Sequence, residues 1–517
     1  MTTEQLGVTL LLGSVVLLVA LVAVRVSTGS GLPSLLLYLA LGLLIGEGGL
    51  GLEFDDAELT ALLGYVALIL ILAEGGLTTR WSTIRPVVAP AAVLATVGTS
   101  VSVAVAGTAA HFLLGMEWPL ALLLGAAISS TDAAAVFSVL RRVPLPRRLV
   151  GMLEAESGFN DAPVVIAVVA LTEIAAGHAS HPWWYLVGEA AFELLVGALI
   201  GVAVGWLGAQ ALRQVALPAS GLYPLAVLGL AVGAFGAADV AHASGFLATY
   251  VASLVLGNVR LPHGAAVRGF AEGLGWLAQI GLFVLLGLLA APSRLPAQMW
   301  PAIMMGLLLL LVARPLSVLL AVSWFRIPLR EQSFLSWAGL RGAVPVVLAT
   351  VPVAAGVEGA SGLFDLVFVL VAIFTLVQAP TLPWVARVLR LRGSVATVGL
   401  DVESTPLGAL GADVLEVHVG PDSRLHGVEI FELRLPKGAN VTLVLREHDR
   451  LRDDGGARRW TETFVPGPRT MLRHGDTLII VTSEEAREIT EGRLLAVSAG
   501  GKLANWRGRV RGGAADR

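Results

Sequence analysis

Glu156-Ser157-Gly158-Phe159-Asn160-Asp161 puts two carboxylates and an amide inside an apolar segment, about Leu149 to Ile174, that otherwise has the composition of a membrane helix. An ionisable group at mid-bilayer costs about 2.5–3.5 kcal/mol on insertion scales, so two in one run need partners or a task. At helical spacing Ser157 and Asp161 share one face, and Glu156 and Asn160 share the neighbouring one. Pro163 follows two residues after Asp161. It lacks an N–H and is expected to release the carbonyl four residues earlier, opening the helix locally. One reading is a buried polar knot that glues helices together. The other is an ion or proton site at the bilayer midplane.

The surrounding chain fits either reading only as a polytopic membrane protein. Of its 517 residues 56% are hydrophobic and 14% charged, and the mean hydropathy is +0.79. The net charge of −3 says little about partners, because the charges are sorted into loops and one terminal region. Without cysteine there is no disulfide framework and no thiolate ligand or nucleophile. Glu4 precedes the first apolar run, with neither a basic opening nor a small-residue cleavage site, so that run is expected to be a retained span.

Windows long enough to cross a bilayer centre near Leu17, Leu41, Leu68, Val101, Ala127, Val164, Val196, Leu228, Ser253, Phe283, Leu310, Val344 and Val371, giving about thirteen spans. The Gly-rich one around Ser253 is the weakest. Arg25, Arg80, Arg85, Arg141, Arg142, Arg147, Arg148, Arg213, Arg260, Arg268, Arg326, Arg330 and Arg387 fall in alternate loops or at the C-terminal exit. The other loops hold Arg294 and acids such as Asp55, Asp56, Glu58 and Glu358. The positive-inside rule then sets the N-terminus outside and the C-terminus in the cytoplasm, in agreement with an odd number of spans.

The spans also repeat. One to six and eight to thirteen lie about 210 residues apart, and a single span between them inverts the second set. Polar, helix-interrupting sequences occupy matching places: Ser129-Ser130-Thr131-Asp132 in the fifth span and Gly339-Leu340-Arg341-Gly342-Ala343-Val344-Pro345 in the twelfth. The expected fold is therefore α-helical, with inverted repeats and two crossing discontinuous helices. Asp132 can cap the second half-helix, while Thr131 and freed carbonyls offer oxygen ligands to a small cation. Arg341 is suited to a half-helix C-terminus or to exposed carbonyls. Arg314, deep in the eleventh span, requires an anionic partner, and Glu156 is the best candidate.

Other polar residues are less telling. Glu74 lies near one end of the third span, and Glu189, Glu193, Asp239 and Glu272 suit interfaces or funnels. His111 and His242 sit near span ends. Gly46-Glu47-Gly48-Gly49-Leu50-Gly51 fits a dinucleotide fingerprint but ends a membrane helix. Thr96-Val97-Gly98-Thr99 is like a potassium filter but occurs once, inside an apolar helix.

From about Gly393 the character changes. Val414–Val419, Val441–Leu445 and Thr477–Val481 are short β-rich runs between charged turns, the pattern of a small α+β domain. The resulting division is 1–392 as the membrane domain, 393–410 as linker, 411–500 as cytoplasmic domain and 501–517 as a disordered basic tail.

Together, Ser130-Thr131-Asp132, Glu156 to Asp161, Ser244-Gly245-Phe246-Leu247-Ala248, Gly257-Asn258 and Gly339 to Pro345 resemble the signatures of the monovalent cation:proton antiporter family. Within it, the chain resembles the sodium/proton exchanger branch with an Asn-Asp pair, and especially bacterial potassium/proton antiporters. The resemblance covers about residues 5–390. It implies a homodimer in the bacterial inner membrane, elevator-like movement of a core domain, and electroneutral exchange. By the same resemblance Asp161 is the shared carboxylate for proton and cation, with Asn160, Ser157 and Thr131 around it. Asp161, Thr131 and Ser157 would then hold K+ or Na+, with Asp132, Glu156, Arg314 and Arg341 in support and Glu156 paired with Arg314.

In the tail, Ser423-x-Leu425-x-Gly427, Leu433-x-Leu435-Pro436 and Leu472-x-x-Gly475-Asp476-x-Leu478 resemble the C-terminal half of the RCK regulatory module (the TrkA-C type). The nucleotide-binding half has no counterpart, and the stretch around Asp453–Arg459 departs from the compact pattern. Some such tails bind cyclic dinucleotides at a dimer interface, which makes that class the candidate regulatory ligand. The expectation is a K+/H+ antiporter, with Na+/H+ exchange as the alternative and an RCK-regulated potassium channel as a remote one. No enzyme activity, resident cofactor or nucleic-acid partner is expected. The transported K+ or Na+, H+ and membrane lipid are the small-molecule partners.

Overall fold

The computed structural model describes residues 3–501 except 31–32, 50, 52–53, 55, 141–144, 179–181, 216, 260, 392–399, 408–411, 422, 452–456 and 484–485. Asp55, Arg141, Arg142, Arg260, Asp453, Lys502 and the basic tail thus lie outside the described residues. The chain forms two compact units, Met1–Leu261 with Ala266–Leu391, and Pro262–Ala265 with Arg392–Arg517.

The first unit is helical. Its elements are α1 (Thr3–Ser30), α2 (Ser34–Ile45), α3 (Ala57–Thr78), α4 (Trp81–Ile84), α5 (Val88–Val93), α6 (Thr99–Leu114), α7 (Trp118–Ala127), α8 (Ala133–Leu140) and α9 (Arg147–Ala175). They continue with α10 (Trp183–Gln214), α11 (Leu222–Val240), α12 (Gly245–Asn258), α13 (Gly264–Leu289), α14 (Leu295–Leu308), α15 (Arg314–Val322), α16 (Leu329–Trp337), α17 (Ala343–Ala354) and α18 (Ala360–Val388). Each predicted span centre falls within one of these helices or the wide turn between α14 and α15. Among the described residues, eight helical stretches have the length and apolar character to cross a membrane, and α2, α7, α12 and α17 are shorter apolar helices.

Two features differ from the local reading of the sequence. Pro163 does not open its helix: α9 runs unbroken for 29 residues with the proline inside. Packing on several sides, against α5, α7, α12 and α17, holds the turn despite the one missing N–H. Conversely, two helices that read as continuous contain wide π turns, Leu94–Gly98 between α5 and α6 and Leu309–Ala313 between α14 and α15. These lie at matching places in the two halves and pack on the opposite stretch, α15 and α6 respectively. The filter-like Thr96-Val97-Gly98 belongs to the first of them.

Close helix packing comes from small residues. Gly197, Gly201 and Gly205 recur every four residues along α10, and a side chain at any of them would strike the backbone of Ser244, Ala248 or Ala252. Ser244 caps α12 through Leu247 N at 3.4 Å, and Asn258 closes its other end, accepting from Trp81 N at 2.6 Å and donating to Thr79 O at 2.8 Å. The Ser244–Ala248 and Gly257-Asn258 motifs therefore define both ends of one short buried helix. In the fingerprint-like run Gly46 caps α2 and Gly51 lies in the left-handed region (φ 72°). His111 is a loop clamp, bonded to Met116 O at 2.7 Å and stacked on Trp118.

The second unit carries an antiparallel sheet in the order β1-β2-β5-β3-β4, with β1 (Leu400–Leu407), β2 (Ala412–Val419), β3 (Ala439–Leu451), β4 (Ala457–Phe464) and β5 (Thr477–Ser483). The segment read as linker thus holds an edge strand; of the departure near Asp453–Arg459, residues 457–459 belong to β4 and the rest lie outside the described residues. Leu415, Val417, Leu478, Ile480 and Val444 form its core with Leu494 and Val497 of α19 (Arg487–Gly500). Asp476, fully buried, holds Arg446 by two bonds of 2.8 and 2.7 Å, which raise the guanidinium further above its ordinary range.

Candidate functional site

The two polar interruptions meet. α7 ends at Ala127 and α8 begins at Ala133; α16 ends at Trp337 and α17 begins at Ala343. Between them Asp132 N donates to Leu340 O at 2.9 Å, joining one break to the other. Asp132 Oδ1 accepts from Ala135 N at 3.2 Å, so its charge stands at the positive end of α8. Gly342, which precedes α17, lies against the same carboxylate, where any side chain would collide with it. Asp132 therefore faces two helix N-termini. Arg341 does the complementary job beyond α16, donating from Nη1 to Gly339 O at 2.7 Å while Thr375 Oγ1 donates to Arg341 O at 3.1 Å.

α9 runs past this crossing and turns its polar run into it. Asn160 Nδ2 donates to Thr131 Oγ1 at 2.6 Å, and Ser130 Oγ donates to Asp161 Oδ1 at 2.7 Å. Ser157 Oγ accepts from Ala133 N at 3.2 Å and so satisfies the first N–H of α8. Glu156 and Arg314 form a two-pronged ion pair, Nη1 to Oε1 at 2.6 Å and Nη2 to Oε2 at 2.8 Å, with side chains 2% and 6% exposed. Such a pair gains Coulomb energy but loses the hydration of both ions, so its main effect is to fix register between α9 and α15.

Two features separate Asp161 from its neighbours. It retains 8% of its surface, against 1% for Asn160 and 2% for Glu156, so it is the most exposed of these three. Beside it, Asn160 Oδ1 is buried without a hydrogen-bond partner. With its amide NH2 committed to Thr131, that oxygen can be satisfied only by a donor or a cation. A carboxylate, an amide oxygen and two hydroxyls give the hard oxygen set suited to a small monovalent cation, which would be cargo and not a resident metal. Among the described residues no cluster of three His, Cys, Asp or Glu side chains suits a metal ion.

The structure thus brings Asp161, Asn160, Thr131, Asp132, Glu156, Arg314 and Arg341 into one assembly, with Ser157 at its edge. The hydroxyl on Asp161 comes from Ser130. Only the tertiary crossing decides which of two adjacent hydroxyls turns inward, so the local pattern had marked the run and not the residue. Tyr250 was also missed. Its ring fills the space above Gly158, where a methyl group would overlap it, and it meets Phe159 edge-on. A Gly one turn before Asp161 was the available signal. Glu189, Asp239 and Glu272 are exposed and stand apart from the assembly.

Comparison with known proteins agrees with this arrangement. The family described as sodium/hydrogen exchanger, transmembrane, matches residues 14–388. The K(+)/H(+) antiporter NhaP of Alkalimonas amylolytica is 36% identical over 87% of the chain and 79% of its own length. The K(+)/H(+) antiporter NhaP2 of Shewanella sp. (strain ANA-3) is 33% identical over 94% and 83%. The sodium proton antiporter MjNhaP1 of Methanocaldococcus jannaschii shares the fold, with a TM-score of 0.65 and 22% identity over 73% of this chain and 97% of that one.

Proposed function

The chain belongs to the sodium/hydrogen exchanger family, and from that premise we propose that it exchanges K+, in preference to Na+, for H+ across the bacterial cell membrane without net charge movement. It is a multi-pass membrane antiporter and not an enzyme. Family membership also replaces the channel reading. The observation that carries the proposed site is the pairing of the buried Asp161 carboxylate with the unpartnered, buried Asn160 oxygen at the crossing of two broken helices.

In this mechanism Asp161 holds either a proton or the cation. Asn160 Oδ1, Thr131 and Ser157 complete the cation's oxygen shell, and Ser130 steadies the carboxylate when it is empty. Asp132 and Arg341 offset the half-helix ends at the crossing. The charge alternation of the loops supports thirteen spans in two inverted repeats, with the N-terminus outside and the C-terminus in the cytoplasm. The matching π turns support the same repeat. Apolar outer faces on α1 and α10, including Leu18, Val22, Leu195, Leu199 and Trp206, suit lipid and a second copy in a homodimer. The Ser423, Leu433 and Leu472 motifs support an RCK-C-type regulatory domain, for which a cyclic dinucleotide is the candidate ligand.

Selection of K+ rests on the antiporters similar over most of the chain. A sodium reading has its own support in the Na(+)/H(+) antiporter NhaH of Halobacillus dabanensis, 30% identical over 50% of this chain. Proton flux in proteoliposomes driven in turn by K+, Na+, Li+ and Rb+ gradients separates them. K+ and Rb+ are expected to dequench a trapped pH dye at lower concentration than Na+ and Li+. The reverse order would make this a sodium exchanger.

A further inference from the structure

The assembly around Arg314 leaves one charge and two N–H groups unanswered. Glu156 balances Arg314, but Arg341, 3% exposed, has the Gly339 carbonyl as its partner and no carboxylate in an ion pair with it among the described residues. The Nε–H of Arg314 and that of Arg341 are both buried without a hydrogen-bond partner. Both arginines line one small cavity, together with Ser336, Gly339, Gln378, Leu310, Leu370 and Phe374. Arg314 gives its two Nη groups to Glu156 and keeps Nε for this space.

Gly339 lets both guanidiniums close on this cavity: a methyl group there would lie 2.9 Å from Arg314 Nε and 3.0 Å from Arg341 Nη1 and would crowd both away from it. A water in the cavity would answer the donors and leave the positive charge. An uncompensated buried charge is strongly unfavourable, and a monoatomic anion removes both deficits at once. The cavity has room for about one water-sized particle, too little for sulfate, phosphate or a carboxylate. Its partly apolar lining suits a weakly hydrated ion.

We propose that this cavity binds one halide ion, chloride in the cell, between Arg314 and Arg341. The ion ties α15 to the α16–α17 break and to α18, and it is neither cargo nor part of the Asp161 shell. The inference rests on the arginine pair alone and stands whichever cation is carried.

The test is equilibrium binding of radioactive chloride to the purified full-length protein in gluconate buffer. One ion per chain is expected, displaced by bromide and not by sulfate, with affinity lowered about tenfold or more by Gly339→Ala. Absence of saturable binding, or unchanged binding by a folded Gly339→Ala protein, overturns the proposal and leaves the cavity to water. Should that variant not fold, bromide-soaked crystals of the unaltered protein decide the matter. An anomalous peak between Arg314 and Arg341 supports the site, and a peak only elsewhere refutes it.

Discussion

Asp161 and Asn160 differ by one atom and have opposite tasks. The amide is fixed by Thr131 and offers a neutral oxygen; the carboxylate takes on or loses charge. Asp161→Asn keeps the volume and the contact with Ser130 but can no longer exchange a proton for a cation. It is expected to abolish exchange in proteoliposomes while leaving the thermal unfolding midpoint unchanged or higher, since a buried ionisable group is gone. Proton flux like that of the unaltered protein would remove Asp161 from the mechanism. Glu156 and Arg314 call for a different measurement. Loss of either partner leaves a lone buried charge and is expected to destabilise by about 3–5 kcal/mol, and the double change Glu156→Gln with Arg314→Gln to recover part of that. Strict additivity of the two effects would mean that the pair is not coupled.

The half-helices α8 and α17 meet at their N-termini because Asp132 and Gly342 touch. Gly342→Ala forces a methyl into that carboxylate and is expected to lower stability by about 1–3 kcal/mol, the usual cost of overpacking. Asp132→Ser shortens the side chain and keeps a capping oxygen, so adding it should restore part of the loss. Unfolding midpoints of the two single variants and the double variant check this; a double variant no better than Gly342→Ala would mean that the two side chains do not clash. Both breaks were legible in the sequence, because Ser129–Asp132 and Gly339–Pro345 interrupt apolar runs with groups that helices in lipid avoid. The π turns were not, since Leu94–Gly98 and Leu309–Ala313 are apolar and leave no mark in composition. Pro163 was misleading for the opposite reason: a strong local signal was overridden by packing around α9. In the second unit the β2, β3 and β5 cores stood out as β-branched runs. Edge strand β1 carries Asp401, Glu403 and Pro406 and reads as linker until its partner β2 is in place.

Pairing of β1 with β2 also decides where the molecule can be divided. Deletion from Gly411 would strand β1, whereas deletion from Arg392 removes the second unit except Pro262–Ala265. The shorter protein retains the entire Asp161 assembly and is expected to exchange cations for protons with an altered dependence on pH or ligand. An inserted truncation with no exchange at all would make the second unit part of the transport machinery.

The charge carried over the complete cycle decides how exchange responds to a membrane potential. Glu156 is committed to Arg314, Asp132 to the N-terminus of α8, and the arginines stay protonated throughout. Asp161 is then the one group whose occupancy alternates, and it holds either one proton or one monovalent cation. The loaded carrier has the same charge in both directions. A membrane potential therefore does no net work on the cycle, although an uncompensated charge would contribute about 2.3 kcal/mol per 100 mV. Purified protein in liposomes should come to rest where the K+ and H+ gradients are equal, and an imposed valinomycin-free potential of either sign should leave that resting point unmoved. Displacement of the resting point by the potential would require a second titrating group in the cycle, and Asp132 and Glu156 would be the first to substitute.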